Sequence, residues 1–339
     1  EAPLIGRARQ IQTLLVDEVE QDPKAEGSTS SAVDMPPTPA DPPIPAGIVA
    51  QPKYAVIGGS GVTIAGKERY SFQTPLGPVI NISFLDDDKK VLFVNRHQCT
   101  AMNDSGAATY APPHEVNYHA MLFAMKQLNV KGICALGSTG TLRPHKVPVG
   151  SIVMPDDYVF VLPTPVTFWG KCKMGLFEPA DDEQGRIHFA PATGDDEEWC
   201  FFREWVQQQL APVLTEQKEK IVLTPDQTPE IWPCVKSTKV ENEVKVAYLQ
   251  TTGPRFETRS EIQGYKLLGD VVGMTCASEW TLAQELKIPY VLVCAIDNSA
   301  NGLSVHPGGP VQEYLDHKGA ISAVTAALVH KLTAALAKK

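Results

Sequence analysis

The sequence predicts an α/β fold built on a largely parallel or mixed β-sheet flanked by helices. Three observations point to it. Short apolar strand-like runs alternate with helical periodicity, several of those runs end in glycine- or hydroxyl-rich turns, and a long apolar helix closes the chain. With 339 residues, 43% of them hydrophobic, there is ample apolar surface for a large buried core.

From the N-terminus the elements run as follows. Residues 10–20 place Ile11, Leu14, Leu15 and Val19 near helical spacing, which predicts a short amphipathic helix. Residues 22–52 are rich in Pro, Ser, Ala and Asp. Alone they cannot bury enough to offset ordering entropy, so residues 1–52 are expected to form an extended arm lying against the protein's own body or a partner. The globular domain spans 53–339. Ala55-Val56-Ile57 is a strand running into Gly58-Gly59-Ser60-Gly61, and Val91–Val94 is a second, ending at Asn95-Arg96-His97. A helix is expected over 116–128, then a strand over 133–136 entering the turn Gly137-Ser138-Thr139-Gly140-Thr141. Further strands are expected over 244–251, 271–273 and 290–296, and the closing helix over 312–337. Residues 171–240, with two acidic runs and several prolines, read as a solvated insertion around one helix at 198–210.

Composition excludes some classes. The net charge is −9 and no Lys/Arg-rich run interrupts it, so the electrostatic footprint of a nucleic-acid binder is missing. Seven dispersed cysteines without a CxxC pair predict reduced thiols in an intracellular protein; the first residue, Glu1, leaves a cytoplasmic protein or a mitochondrial one with a processed N-terminus as the expectations. No continuous apolar run approaches the roughly 18 residues of a membrane span.

The chemistry-bearing residues cluster at predicted strand ends, where ligands of α/β sheets bind. The Gly58–Gly61 turn lets backbone N–H groups approach an oxyanion, with Ser60 adding a hydroxyl. Arg96 could grip phosphate through two parallel hydrogen bonds, and Ser138 sits in a second hydroxyl-rich turn. Neither glycine turn carries the GK[ST] of a P-loop. Gly253-Pro254-Arg255-Phe256-Glu257-Thr258 sets an aromatic beside a carboxylate, which suits a flat heterocycle. Met274-Thr275 and Asp297-Asn298 end two later strands. Each cluster also has a plain structural alternative: a turn, a core methionine, a loop Asx pair.

Taken together and in order, these motifs resemble the trimeric purine nucleoside phosphorylase and methylthioadenosine phosphorylase family. The resemblance is carried by VIGGSG at 56–61, Arg96-His97, PPHEVNY at 112–118, STGTL at 138–142, PVGSIVMPDD at 148–157, GPRFET at 253–258, and DVVGMT at 270–275 followed by Glu279, Leu282, Ala283 and Glu285. It implies a single phosphorylase domain, assembled as a homotrimer, that cleaves a purine from its ribose with inorganic phosphate as co-substrate and no metal or organic cofactor. It assigns phosphate to Ser60, Arg96, His97, Ser138 and Thr275. Ribose falls to Met274 and Tyr118, with His114 offered to a neighbouring subunit. The base falls to Phe256, Glu257 and Asn298, the last two as the catalytic base readers, with Asp297 beside them. Glu257 and Asn298 favour a 6-oxopurine, while methylthioadenosine stays open because Asp297 can accept from an amino group.

The chain departs from the family pattern at Gln98-Cys99-Thr100-Ala101 and the loop to Tyr110, at Phe160-Val161-Leu162, at Ser278 where the family usually has Pro, and in the long insertion. These departures keep two other classes in view: an accessory subunit of a larger assembly with reduced or no activity, and a nucleoside-binding sensor.

Overall fold

A computed structural model describes residues 52–59, 62, 68–169, 197–217 and 246–339. The expected N-terminal helix and nearly all of the arm, Ser60 and Gly61, and most of the insertion lie outside the described residues.

The domain is a mixed α/β fold, as expected. The strands β1 (Tyr54–Gly58), β2 (Tyr70–Thr74), β3 (Gly77–Phe84), β4 (Val91–Asn95), β5 (Ile133–Thr141), β6 (Ile152–Val153), β7 (Asp157–Phe160), β8 (Ala247–Gln250), β9 (Val271–Gly273) and β10 (Tyr290–Ser299) join in one sheet. The helices are α1 (Tyr118–Gln127), α2 (Glu197–Gln217), α3 (Arg259–Tyr265), α4 (Cys276–Glu285) and α5 (Gly309–Leu336).

Strand β5 is the axis. Its first half pairs in parallel with β1, its whole length pairs in parallel with β10, and its last residues, Gly140 and Thr141, pair antiparallel with β9. β1 continues to β4 and the β2–β3 hairpin, whereas β9 continues to β8 and β7. The strands β1, β4, β5 and β10 therefore run the same way and deliver their C-terminal ends to one edge. All five residues of β1 and of β4 are buried, as expected for parallel strands covered on both faces.

Two elements differ from expectation. Gly137–Thr141 is strand rather than turn, because β10 supplies backbone partners along the whole stretch; local glycine content gave way to long-range pairing. The helix in the insertion is not a solvated surface element. α2 extends to Gln217 and buries Phe202, Val206, Leu210 and Val213. The Phe202 ring stacks on Tyr54 of β1 at 5.9 Å.

The closing helix α5 is long and apolar enough, by length and composition, to cross a membrane. Its apolar stripe is instead turned inward: Ile321, Val324, Leu328, Leu332 and Leu336 are buried in the main core. Leu332 is fully buried, so Leu332→Ala should cost about 2–5 kcal/mol, through lost burial plus the cavity left behind. Ala334→Ser, on the exposed side, should stay within about 0.5 kcal/mol. Urea denaturation of the two variants checks the orientation of the helix.

Candidate functional site

The site assembles where β1, β4, β5, β9 and β10 end. Arg96 follows β4 directly and is only 1% exposed. Its Nε and Nη2 face the carboxylate of Glu279 on α4, with Nη2 to Oε2 at 2.9 Å. Glu279 is itself fully buried and also accepts from the Tyr290 hydroxyl at 2.8 Å. Nη1 donates to the Leu136 carbonyl at 3.2 Å. The edge expected to fork a phosphate is thus committed to Glu279, and the edge that can reach an anion is Nη1. That atom lies 2.9 Å from where a Cβ on Gly59 would stand, so only glycine lets the loop after β1 come this close.

His97 turns the other way. Its Nδ1 meets the Ala111 carbonyl at 2.8 Å, and its ring stacks on Tyr110 at 4.8 Å. Burial, reinforced by the Arg96 charge, lowers its pKa to about 4. The ring is therefore neutral near pH 7. A carbonyl can only accept, so the proton sits on Nδ1 and Nε2 presents a lone pair. His97 can accept from a protonated phosphate oxygen; it does not act as a cation.

Thr275 caps α4 without a side-chain capping bond, and its hydroxyl lies 3.5 Å from Cys276 Sγ. The first backbone N–H groups here are already taken: Thr275 and Cys276 donate to the Tyr248 hydroxyl, and Ser278 donates to Gln250 Oε1 at 2.8 Å. The Thr275 hydroxyl, rather than the bare helix terminus, is the group on offer. Ser278 also accepts from Gln250 Nε2 at 2.7 Å. A proline at 278 would have no N–H for this two-way contact, which accounts for that departure from the family pattern.

Ser138 is exposed on β5 and donates to Asp297 Oδ2. The two were assigned to different zones, and the structure joins them. β10 carries an irregularity against β5 at this point: Ile296 pairs with Thr139 and Asn298 with Gly140, leaving Asp297 unpaired. Such a bulge re-aims a side chain, and Asp297 faces α5, lining a cleft with Tyr314 and Lys318. The adjacent Asn298 turns toward β9, its Nδ2 3.2 Å from a Cβ position on Gly140 and donating to the Ser299 carbonyl at 2.9 Å. Burial raises the Asp297 pKa to about 7.

On the base side, Glu257 is buried and accepts from Thr251 Oγ1 at 2.6 Å, and its carbonyl accepts from Asn301. Phe256 is partly exposed beside it. Met274 lies against Gly253: its Sδ would stand 2.7 Å from a Cβ there, and Gly253 has φ +61°, doubly requiring glycine. Tyr118 is buried with its hydroxyl donating to the Pro113 carbonyl at 2.8 Å. His114 sits exposed beside Glu115 in the turn Pro113–Glu115. Ser60 lies outside the described residues. Glu279, Tyr290, Tyr314 and Lys318 had no assigned role from sequence. Glu279 entered the sequence reading only as part of the motif after DVVGMT, with no partner named for it.

The departure at Gln98–Ala101 and the loop to Tyr110 is absorbed as well. Cys99 is buried against the Arg96 carbonyl. The following loop is held by Asn103 Oδ1, which accepts from Ser105 and Ala107, and it delivers Tyr110 to His97. Among the described residues, no three His, Cys, Asp or Glu side chains come together as a metal site.

The residues expected to meet an anion and those expected to meet a flat ring thus lie on β5 and β10 and on the segments that follow β4, β8 and β9. The chain belongs to the phosphorylase superfamily, whose family profile matches residues 53–334. It is 33% identical to a probable S-methyl-5'-thioinosine phosphorylase of Methanopyrus kandleri, over 74% of this chain and 80% of that protein. It is 29% identical to a 6-oxopurine nucleoside phosphorylase of Pyrococcus furiosus, over 75% and 82%. The fold is shared with the methylthioadenosine phosphorylase of Schistosoma mansoni in complex with tubercidin: TM-score 0.55, 22% identity, 85% of this chain and 93% of that one.

The two titrations oppose each other. His97 is lowered from 6.5 to about 4, so it adds a stability that is full above 6.5 and is lost as pH falls toward 4. Asp297 is raised from 3.8 to about 7, so it makes the folded state lose stability as pH rises from about 4 to 7. His97→Gln should therefore lessen the stability lost on acidification from pH 6.5 to 4.5. Asp297→Asn should lessen the loss between pH 5 and 7. Denaturant midpoints across that range check both signs.

Proposed function

We propose that the protein is a purine nucleoside phosphorylase, transferring the pentose of a 6-oxopurine nucleoside to inorganic phosphate. The observation that supports it is that Glu257 accepts from Thr251, whose N–H donates to the Gly273 carbonyl just before Met274 and Thr275, while Asn298 and Val272 of β9 both border Gly140. The Arg96 Nη1 edge and the Thr275 hydroxyl donate to phosphate, neutral His97 and Ser138, whose own O–H is given to Asp297, accept from its protonated oxygen, and Ser60, next to Gly59 in sequence, joins them. Phe256 stacks the purine, Glu257 accepts its N1–H, and the Asn298 carboxamide serves N7 and O6. Met274 and Tyr118 bound the ribose. As the C1′–N9 bond breaks, its electron pair passes into the purine, and a phosphate oxygen forms the new bond to C1′ on the opposite face. The protein positions the phosphate and stabilises the charge arriving at N7. The proton that hydrogen phosphate gives up on bonding to C1′ is balanced by one taken up from water by the departing purine, so the products are free purine and ribose 1-phosphate, and phosphate is the only co-substrate required.

The 6-oxo preference is favoured over methylthioadenosine because Asp297 faces α5 and not the Asn298 carboxamide, so it offers no acceptor to a 6-amino group there. Activity is favoured over a scaffold role because the buried Arg96–Glu279–Tyr290 network is complete, at a desolvation cost that a scaffold has no need to bear. The exposed His114 supports assembly as a homo-oligomer, a trimer by the family pattern.

Purified protein should release hypoxanthine from inosine only when phosphate is added, and cleave adenosine and methylthioadenosine at least about 100-fold less efficiently, since a site built for one polar edge leaves groups unpaired with another. Asn298→Asp should move the preference toward 6-aminopurines. Phosphate-independent release, or an unchanged inosine-to-adenosine ratio in the variant, would overturn the assignment.

A further inference from the structure

The loop from Gln98 to Tyr110 is where the chain departs from the family pattern beside Arg96 and His97, and the proposed reaction gives it no task. It is closely held. Asn103 Oδ1 accepts from the N–H groups of Ser105 and Ala107 and from the Ser105 hydroxyl at 2.7 Å. Met102 and Ala108 face each other in an antiparallel bridge, and the Thr109 N–H donates to the Ala101 carbonyl at 2.9 Å. The Ala111 N–H donates to the His97 carbonyl at 2.7 Å. Tyr110 therefore stands between two backbone ties that return the loop to the residues following β4.

These ties deliver one ring face. Tyr110 lies on His97 with centroids 4.8 Å apart and planes 16° from parallel. The two rings differ in exposure, Tyr110 at 58% and His97 at 6%. A large aromatic left this open to water adds little to the core, so the fixed placement of Tyr110 serves the imidazole and not its own burial. The imidazole needs a second contact. Its Nδ1 is held by the Ala111 carbonyl, but one hydrogen bond leaves a planar ring free to rock about that bond. Nε2 has no hydrogen-bond partner among the described residues and would rock with it.

We propose that Tyr110 is a positioning residue that acts through His97: its ring face fixes the plane of the imidazole, so that Nε2 stays aimed at a protonated phosphate oxygen. The flat face is what matters, and the phenol hydroxyl is not required. This deepens the phosphorolysis reading and rests on its phosphate site. Phosphate binding then depends on a planar side chain at position 110, whereas the nucleoside, held by other residues, does not. The same ring also keeps water from His97. Burial, reinforced by the Arg96 charge, holds the imidazole pKa at about 4, and no carboxylate acts on it among the described residues. Burial and the neighbouring Tyr314 of α5 raise the Tyr110 pKa, so the phenol is neutral near pH 7. Removing the flat face re-solvates the imidazole, and its pKa should rise toward 6.5.

The test uses the full chain with Tyr110→Leu, which keeps apolar bulk without a flat face, and Tyr110→Phe, which keeps the face. Three quantities are measured: orthophosphate affinity by calorimetry, KM for phosphate and for inosine, and the His97 titration by NMR, assigned by its loss in His97→Gln. Tyr110→Leu should weaken phosphate binding and raise the phosphate KM by about tenfold, the order expected for one lost hydrogen bond. It should leave the inosine KM unchanged and move the His97 midpoint upward. Tyr110→Phe should match the wild type in every measurement. Unchanged phosphate affinity in Tyr110→Leu, equal losses in the Leu and Phe variants, or equal rises in the two KM values would overturn the proposal and leave phosphorolysis standing. Wild-type protein that binds phosphate but cleaves no nucleoside would remove the phosphorolysis assignment alone, and the calorimetric comparison would then decide the role of Tyr110. A wild type that binds no phosphate would remove both.

Discussion

The buried pair between Arg96 and Glu279 is the constraint on which the site depends. Two charges taken out of water are a net cost unless geometry and further hydrogen bonds compensate. Here the compensation comes from separate elements: α4 supplies the carboxylate, β10 supplies the Tyr290 hydroxyl, β5 supplies the Leu136 carbonyl, and the end of β4 supplies the guanidinium. The pair ties the end of β4, the middle of β5 and the start of β10 to one helix. It also leaves the buried Arg96 guanidinium largely neutralised. Anion affinity must then come from directed N–H and O–H groups more than from net charge, in keeping with a chain whose overall charge is negative.

The second device is the long parallel pairing of β5 with β10 and the bulge within it. Without the bulge, Asp297 and Asn298 would alternate in the ordinary way along a paired strand. With it, Asp297 reaches Ser138 in the cleft under α5 while Asn298 reaches across Gly140 toward β9. Two consecutive polar residues thereby face different neighbours. Glycine at 59 and 253 performs the same service for Arg96 and Met274, removing a Cβ where another side chain must come close.

Much of the fold was legible in the sequence because strand ends advertise themselves. Apolar runs stop at Gly58, Asn95, Gly273 and Ile296, and the polar residues that follow are the ones the structure gathers. What sequence reasoning missed are features set by distant partners. Gly137–Thr141 looks like a turn until β10 pairs with it. The helix at 197–217 looks solvated because its flanks are acidic, yet its periodic Phe202, Val206 and Leu210 are core. Arg96 with Glu279 lies 183 residues apart and Ser138 with Asp297 159 apart. No local pattern reveals that one uses up a fork or that the other links two subsites.

The proposed phosphate site requires Arg96 to meet the anion through Nη1 while Nε and Nη2 remain on Glu279. Calorimetric titration of orthophosphate into the wild-type protein and into Arg96→Lys tests this directly, because lysine keeps the charge but cannot hold Glu279 and reach the anion at once. The expected result is one phosphate site per chain in the wild type and binding weaker by about tenfold or more in the variant, a free-energy loss of roughly 1.4 kcal/mol or more. Equal affinity in the two proteins would show that charge alone suffices and would contradict the proposed geometry.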